Sequence, residues 1–477
     1  MKNLYIFFVK LHYLSLFNSQ KILMEAINLW FKNKNLEEKE YQIEGIKWCL
    51  KNETSGFQID EKNIKGGLVA DEMGLGKTIT MLSLVIGNPK ALTLIVLPKA
   101  LLNQWEKIIK NLTDQEPYIY HGTNTKKSIQ EITTNHSIIV TTYGMIATSD
   151  KRENELYKQK WSRIIYDEAH HLRNKKTAIY KGAYILTQNS EINWLVTGTP
   201  IQNQKNDFYS LCDIIGIPKT FYQKSENLKE IAKNFLMKRT KEQVKIEMPK
   251  INTKKIDVEW ENDDEKELSQ FIHQNLDFSN LVTRNNMRFN IPIPERKLPL
   301  LVKARQSCIM ASMVKDANIT TNDSSKLSKL IETIIASPQD KKKLIFCHYR
   351  AEIDEIFKLL SGQNYKTTFI DGRTKNNERL SILNNTENID ILILQIQTGC
   401  EGLNLQMFSE VYFVSPHWNP SIEEQAVARC HRIGQTQEVN VYRFIMGAHE
   451  PKQKSQSLEM HTKEVQKRKL KIASELN

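Results

Sequence analysis

Two series of short apolar runs, separated by helix-like stretches, constrain the fold of this 477-residue chain most strongly. The runs read GGLVA, LTLIVLP, SIIVTTY, RIIYDEA and WLVTGTP within residues 66–200, then KLIFCHY, KTTFIDG, ILILQIQ, EVYFVSP and VNVYRFI within residues 343–445. Strands that are apolar on both faces and alternate with helices are typical of a parallel sheet covered on both sides. The sequence therefore predicts an α/β protein with two parallel-sheet lobes in tandem and helical insertions between them.

This pattern divides the chain into five segments. In chain order they are an N-terminal extension (1–35), a first lobe (36–218), a helical segment and linker (219–250), a second lobe (251–450) with a helical insertion at about 262–316, and a C-terminal helix (451–477).

Both ends of the chain carry patterns of their own. The apolar N-terminal stretch is too short and too polar to span a bilayer, and Met24 is an alternative start of the chain. Near the other end, Leu458, Val465, Leu470 and Ile472 stand among many charged residues. That spacing predicts an amphipathic helix that packs back on a lobe, with a solvated tail as the alternative.

Charge and cysteine usage narrow the class of partner and of site. The chain has 67 Lys and Arg against 55 Asp and Glu, and its formal net charge is +12. Such a surplus fits a polyanionic partner such as nucleic acid and equally fits a lysine-rich, solvated surface. The 6 cysteines are scattered without a C-x-x-C pair. We therefore expect no zinc site and no disulfide framework.

The stretch DEMGLGKT, residues 71–78, lies between the run GGLVA and the helix-like TITMLSLVI. It matches the end of the phosphate-loop pattern G-x-x-x-x-G-K-[ST], but Asp71 stands where the pattern has glycine. Gly74 and Gly76 allow backbone N–H groups to approach a phosphate, Lys77 is suited to the β- and γ-phosphates and Thr78 to Mg²⁺. An ordinary strand-to-helix turn is the alternative.

Two further groups of residues fit hydrolysis of a nucleoside triphosphate. The run RIIYDEA ends in Asp167, suited to hold the metal ion, and Glu168, suited to act as general base. Arg429 and Arg432 are three residues apart and share a helix face, so they could neutralise the γ-phosphate. The alternatives are a structural acidic pair and a pair of surface salt bridges.

Taken in order, these motifs resemble the Swi/Snf-type DNA translocases of helicase superfamily two over residues 38–446. YQIEGIKWCL, DEMGLGKTIT, LIVLPKALLNQWEKI, VTTYGM, DEAHHLRN, LVTGTPIQN, FLMKRTKEQVKIEMPK and SPHWNPSIEEQAVARCHRIGQTQEVNVYRFI carry the resemblance. Asp71 in place of glycine is a rule in that family. The resemblance implies RecA-like lobes and a site for ATP and Mg²⁺.

The resemblance also implies roles for individual residues. ATP contacts are implied for Gln42, Asp71, Glu72, Met73, Gly74, Leu75, Gly76, Lys77 and Thr78, and metal contacts for Thr78 and Asp167. The implied catalytic residues are Lys77, Asp167, Glu168, Arg429 and Arg432. A nucleic-acid track is implied at Lys99, Thr142, Tyr143, Gly372, Gln397 and Asn404, and coupling to lobe motion at Thr197, Gly198, Thr199 and Gln425.

One loop departs from the family. Its usual form is S-T-R-A-G-G-x-G-I-N-L, whereas this chain has QIQTGCEGLNL. Gln397 replaces the arginine and Cys400 the second glycine, so one cationic contact with the track is missing.

The resemblance thus implies an ATP-dependent translocase on double-stranded DNA that remodels or displaces DNA-bound protein. A DEAH-type RNA helicase and a DNA-bound scaffold with a spent ATPase are the alternatives. The expected partners are double-stranded DNA and either nucleosomes or a polymerase complex. We expect the protein to be a monomer that does not bind a membrane. The Lys-, Asn- and Ile-rich composition suggests a large DNA virus or a parasite. The expected location is the nucleus, or a cytoplasmic replication site or the virion if the source is viral.

Overall fold

A computed structural model describes residues 19–125, 127–149, 154–198, 205–276, 297–315, 317, 323–399, 403–449 and 456–474. The chain forms two compact units, Met1–Glu247 and Met248–Asn477, and each is described by itself. No helix in the described part is long and apolar enough to span a membrane.

The first unit is built on a seven-stranded parallel sheet with the strand order β5-β6-β4-β7-β8-β3-β9. Its strands, with a preceding antiparallel β1–β2 hairpin, are β1 Phe57–Ile59, β2 Lys62–Ile64, β3 Gly66–Val69, β4 Thr93–Leu97, β5 Tyr118–Tyr120, β6 Ile138–Thr142, β7 Arg163–Asp167, β8 Asn193–Val196 and β9 Leu236–Met237. Its helices are α1 Ser19–Asn33, α2 Glu40–Thr54, α3 Lys77–Gly87, α4 Leu102–Thr113, α5 Ile129–Asn135, α6 Ala178–Gln188, α7 Lys205–Ile215, α8 Lys219–Tyr222 and α9 Leu228–Phe235.

The second unit is built on a six-stranded parallel sheet with the strand order β10-β15-β14-β11-β13-β12. Its strands are β10 Ile251–Val258, β11 Lys343–Cys347, β12 Thr367–Ile370, β13 Ile391–Gln395, β14 Glu410–Phe413 and β15 Val439–Met446. Its helices are α10 Asp263–Gln274, α11 Lys297–Ile309, α12 Ser325–Ala336, α13 Arg350–Ser361, α14 Asn376–Asn384, α15 Ile396–Gly399, α16 Pro420–Val427 and α17 Leu458–Ser474.

Alternate residues of the central strands pack into different cores. Leu94 and Val96 of β4 lie in one apolar cluster of the first unit, whereas Ile95 and Leu97 lie in the other. β13 of the second unit divides its side chains between two clusters in the same way. Because successive side chains of a strand point to opposite faces, each sheet is covered on both sides.

The predicted fold class is confirmed, since each of the ten apolar runs contains a strand of one of two parallel sheets. The hairpin, β5, β9 and β10 were not predicted. Residues 219–250, predicted as a helical segment and linker, contribute α8, α9 and β9 to the first unit, and β9 pairs with β3. The other predicted segment boundaries remain expectations.

The C-terminal helix α17 is held by polar side chains. Glu459 is buried, forms an ion pair with Lys326 at 2.5 Å and accepts a hydrogen bond from the Met446 amide at 2.8 Å. Gln466 donates to a Glu423 carboxylate oxygen at 2.7 Å. Val465 is only half-buried, and the side chains of Leu470 and Ile472 lie outside the described part. The predicted helix is present, but most of the side chains that it buries within the described residues are polar.

A buried histidine lies where α17 begins. His273 Nδ1 donates to the Ser269 carbonyl at 2.7 Å, and its Nε2 accepts from the Leu458 amide at 2.9 Å. Burial lowers the pKa of His273 to about 4. The neighbouring His449 has a pKa lowered to about 3 by burial and by His273. Protonation of His273 would set a second N–H against the Leu458 amide.

These histidines predict that the second unit loses stability in acid. In the unfolded chain each histidine gains a proton near pH 6.5, whereas in the folded chain it stays neutral down to about pH 4. Between these two pH values, each histidine therefore lowers the free energy of unfolding by about 1.4 kcal/mol for every pH unit. Hydrogen exchange of peptides from α12, compared at pH 7 and pH 5 after correction for the intrinsic pH dependence of exchange, measures this loss of stability. His273→Gln should reduce the pH dependence and exposed His461→Gln should not. An unchanged dependence in His273→Gln would contradict the assignment.

Candidate nucleotide site

Three neighbouring strands of the first sheet end at one edge and bring the predicted motifs together. β3 leads into the loop 71–78, β7 ends at Asp167 and β8 ends just before Thr197. Their order in the sheet is β7-β8-β3. Ligands of open parallel sheets bind outside the carboxyl ends of the strands. This edge is therefore the candidate site.

The backbone of the loop 71–78 turns at two glycines. Gly74 and Gly76 have φ values of 92° and 81°, which glycine adopts without strain. The side chain of Gln42 lies against Gly76, where a Cβ would come within 2.1 Å of its Nε2 atom. Gln42 Nε2 also donates to the Leu75 carbonyl at 3.3 Å. Gln42 thus fixes the end of the loop from which α3 starts.

Lys77, the first residue of α3, turns back over the loop. Its Nζ donates to the carbonyls of Asp71 at 2.7 Å and Glu72 at 3.3 Å. A Cβ built on Gly198 would lie 3.7 Å from this Nζ, so the segment after β8 approaches the loop closely. Thr197 is fully buried, and its amide donates to the Val69 carbonyl at 3.0 Å.

The remaining loop and coupling residues can be placed as follows. Thr78 is half-buried in the first turn of α3, Met73 is half-buried and packs toward Gly198, and Leu75 is buried. Thr199 lies outside the described residues.

The acidic side chains at the start of the loop are directed toward a later segment of the first unit. Asp71 is 1% exposed and accepts from Arg239 Nε at 3.1 Å, with a second contact from Arg239 Nη2. A Glu72 carboxylate oxygen accepts from the Lys241 amide at 2.8 Å. Both carboxylates are therefore engaged by cationic residues.

Asp167 is held from three directions. Trp105 Nε1 donates to its Oδ2 at 2.8 Å, and the Glu168 amide donates to its Oδ1 at 3.0 Å. The Tyr143 hydroxyl donates to the Asp167 carbonyl at 2.7 Å. These contacts fix the carboxylate in one orientation, as a metal ligand requires. Within the described residues, no group of three or more His, Cys, Asp or Glu is placed to hold a metal ion.

The environment of Asp167 favours its neutral form. Burial, followed by the nearby Glu168 carboxylate, raises the pKa of Asp167 above its usual range. The Trp105 and Glu168 hydrogen bonds and the charge of Lys77 act in the opposite direction. A carboxylate that is costly to keep charged gains strongly from a bound cation.

Glu168 has a strained backbone. Its φ of 50° and ψ of 48° lie in the left-handed region, which costs a non-glycine residue about 1 kcal/mol. One carboxylate oxygen lies 3.3 Å from His170 Nδ1. Strain of this kind is often found at functional positions.

Three residues predicted to contact nucleic acid lie at the ends of β4 and β6. Lys99 is exposed just after β4, and Thr142 is the buried last residue of β6. The ring of Tyr143 is buried and stacks on His171 at 4.9 Å. With its hydroxyl on Asp167, the side chain of Tyr143 supports the strand end, a role that the sequence did not suggest.

In the second unit, Arg429 and Arg432 follow α16, which ends at Val427, so the prediction that they share a helix face is wrong. Gln425 and Arg429 are buried, and Arg432 is half-buried with its Nε donating to the Ala428 carbonyl at 3.0 Å. Burial and the charge of Arg429 lower the pKa of Arg432 to about 10. Two guanidinium groups this close disfavour each other's charge, and an anion would relieve the repulsion.

The other predicted track residues of the second unit, Gly372, Gln397 and Asn404, are exposed. Gly372 follows β12 and donates its amide to a Gln395 side-chain oxygen at 3.3 Å. Gln397 is exposed in α15, and Asn404 is exposed. Cys400 lies outside the described residues.

A cavity of about 780 Å³ lies in the first unit between residues 37–44 and residues 238–246. Its walls come from the start of α2 and from the segment around Arg239, whose guanidinium lies 5.5 Å from the Tyr41 ring centroid. Pockets of this size accept small ligands. The residues that line the cavity include neither Gln42 nor a residue of the loop 71–78.

With this geometry in place, comparisons with known proteins define the class. A model of the SNF2-related domain matches residues 41–313, and a model of the helicase conserved C-terminal domain matches residues 325–434. The chain belongs to the SNF2-related family. It is a helicase-type ATPase built on two parallel-sheet units.

Relatives of very different length share this core. The chain is 25% identical to the probable global transactivator of Orgyia pseudotsugata multicapsid polyhedrosis virus over 92% of itself and 91% of the relative. It is 28% identical to human chromodomain-helicase-DNA-binding protein 6 over 87% of itself but spans only 17% of that protein. An uncharacterized ATP-dependent helicase of Mycoplasma pneumoniae is 28% identical, over 85% of this chain and 40% of the relative.

One solved structure with a similar chain is the Sulfolobus solfataricus SWI2/SNF2 ATPase core in complex with dsDNA. It is 24% identical, covers 86% of this chain and 88% of its own, and has a TM-score of 0.40.

Sequence reasoning missed the residues that support the site. Trp105 lies in the quoted stretch LIVLPKALLNQWEKI, and Arg239 and Lys241 lie in FLMKRTKEQVKIEMPK. Their position inside recognised motifs was the signal that could have identified them. Their contact partners are 62 or more positions away in the chain, so the sequence did not indicate what these residues contact.

The contact between Trp105 and Asp167 gives a test of the site. Trp105→Phe removes the donor to Asp167 and should lower Mg²⁺-dependent ATP hydrolysis by about 10–100-fold, because outer-shell partners orient a ligating carboxylate. Steady-state hydrolysis at varied Mg²⁺ concentration measures the effect.

Trp30→Phe is the matched control for this test. Trp30 is also buried, but its Nε1 donates to the Leu112 carbonyl at 2.6 Å. Equal losses in the two variants would show that the effect is general destabilisation.

Proposed function

We propose that the protein is an ATP-driven translocase on double-stranded DNA that remodels or displaces DNA-bound protein. One observation carries the proposal. Lys77 and the glycine-rich loop share a sheet edge with Asp167 and Glu168, in a chain that matches both halves of the SNF2-type core.

ATP is the proposed substrate of the loop. The N-terminus of α3 favours a negative charge, and the exposed Gly74 carries no Cβ that would keep phosphate oxygens from the backbone. When ATP binds, Lys77 Nζ would donate its hydrogen bonds to the β- and γ-phosphates instead of to the carbonyls of Asp71 and Glu72. The Gln42 amide, which lies against Gly76 of the loop, is the proposed contact of the adenine base.

Mg²⁺ is the proposed cofactor, and the residues fit it. Thr78 and Asp167 would hold the ion. Asp167 offers an oriented oxygen whose charge a cation would stabilise. When bound, Mg²⁺ neutralises phosphate charge. The protein's own contribution is the fixed orientation of Asp167 through Trp105 and Glu168.

Glu168 is the proposed general base of hydrolysis. It follows the proposed metal ligand Asp167 directly, and its backbone has the strained left-handed conformation. A base at this place would take the proton of the attacking water. Arg429 and Arg432 are proposed to supply the positive charge that the γ-phosphate needs in the transition state.

Double-stranded DNA is the proposed track. The net charge of +12 and the exposed Lys99 suit contacts with phosphates, which give affinity without base readout. Gly372, Gln397 and Asn404 are proposed to lie along the same track, and Thr197, Gly198, Thr199 and Gln425 to couple hydrolysis to movement. Binding should be salt-sensitive and tolerant of DNA sequence.

The biological setting is also a proposal. The chain matches a viral relative over nearly its whole length, and we propose that it acts as a monomer on viral or host DNA complexes. Nucleosomes and polymerase complexes are the candidate obstacles. The nucleus is the proposed location, with a cytoplasmic replication site or the virion as the alternative.

The proposal predicts ATP hydrolysis that duplex DNA stimulates. Purified protein should be assayed alone and with duplex DNA, single-stranded DNA, RNA and nucleosomes. Duplex DNA should stimulate most, and Glu168→Gln should reduce turnover by about 10²–10⁴-fold while ATP binding persists. Preferential stimulation by RNA would instead identify an RNA helicase. Absence of hydrolysis under every condition would identify a scaffold.

A further inference from the structure

The loop 71–78 is clamped by a segment that precedes the second unit. We call residues 236–246 the strap. Its start is β9, which pairs with β3. Beyond the strand the pairing continues along the loop, since the Ala70 amide donates to the Met237 carbonyl at 2.7 Å and the Glu72 amide to the Arg239 carbonyl at 2.9 Å. The strap therefore lies alongside the first residues of the loop.

Side-chain contacts reinforce this backbone pairing. Arg239 binds both carboxylate oxygens of Asp71, and its guanidinium also donates to the Tyr41 carbonyl. Gly45 in α2 makes room for the guanidinium, because a Cβ there would lie 2.7 Å from Arg239 Nη2. With Asp71 only 1% exposed, this is an ion pair largely shielded from water, and its fork geometry fixes the position of the loop.

The second acidic residue makes a parallel contact. Glu72 accepts from the Lys241 amide at 2.8 Å, and Lys241 Nζ lies 3.4 Å from its other carboxylate oxygen. Lys241 is 7% exposed, and its Cε lies 3.6 Å from the place of a Cβ on Gly74. The strap thus reaches the glycine turn itself.

Asp71 and Glu72 each contact both the strap and Lys77. Their carboxylates bind the strap, while their carbonyls accept the two hydrogen bonds from Lys77 Nζ. A shift of Lys77 from these carbonyls to phosphates would alter the charge around the same two residues that the strap holds. Conversely, the strap sets where the carbonyls and Lys77 stand before a ligand arrives.

We propose that Arg239 and Lys241 are positioning residues for the nucleotide loop, and that the strap responds to nucleotide occupancy. The proposal rests on the ATP site proposed above. It explains why acidic residues occupy a phosphate loop: Asp71 and Glu72 anchor the strap, with their charges offset by Arg239 and Lys241. The strap ends at Ile246, two positions before the second unit begins at Met248, so it is also the covalent route from the loop to that unit.

The first experiment measures binding of ATPγS with Mg²⁺ to the full chain without DNA. Arg239→Gln should raise the Kd about tenfold, within the usual range of coupling between linked sites. Arg239→Lys, which keeps the charge but loses the fork, should recover part of the affinity. The KM for ATP should rise more than kcat falls.

Lys34→Met is the matched control for the loss of an ion pair. Lys34 is 19% exposed and lies 2.7 Å from Asp114, whereas Arg239 is 18% exposed. The control should keep the wild-type Kd. If Arg239→Gln does not fold, Lys241→Met tests the second contact in the same assay.

A second experiment needs no substitution. Hydrogen exchange of the wild-type protein should show that ATPγS changes the protection of peptides covering the strap. No change in the strap when ATPγS is bound would overturn the proposal. A wild-type Kd in folded Arg239→Gln, or an equal loss in Lys34→Met, would overturn it as well. Failure of the wild-type protein to bind ATPγS would instead overturn the ATP site.

Discussion

The contact of Asp71 and Glu72 with Arg239 and Lys241 fixes the loop on which the candidate site depends. Without partners, two carboxylates at the start of a phosphate loop would repel a polyphosphate. Here both side chains are engaged by cationic residues, and their carbonyls hold Lys77. The acidic start of the loop is therefore compatible with a role in binding phosphate.

A second set of contacts prepares the other side of the site. Trp105, Tyr143 and the Glu168 amide orient Asp167, and burial raises its pKa above the usual range. Under the proposed function, a bound cation would stabilise the charged form of this carboxylate. The same logic applies to Arg432, whose charge is disfavoured by burial and by Arg429.

The sequence predicted the sheets well because their strands are apolar on both faces, a pattern that survives without any knowledge of contacts. It failed for short or polar edge strands such as β9 and β10, whose pairing depends on residues far along the chain. Motif spacing located Lys77 and Asp167. It did not identify Trp105 or Arg239, because a supporting residue is defined by its contacts, and those arise only on folding. The tail was predicted as an apolar-faced helix, but buried Glu459 and Gln466 hold it.

The central claim is that ATP hydrolysis moves this protein along intact duplex DNA. Displacement of a third strand from a triplex on a duplex track tests it most directly, because a motor that follows the duplex must remove the third strand without separating the other two. The account predicts ATP-dependent displacement by the wild-type protein, none by Glu168→Gln, and no unwinding of the duplex. Unwinding of DNA or RNA strands without displacement from the triplex would contradict it.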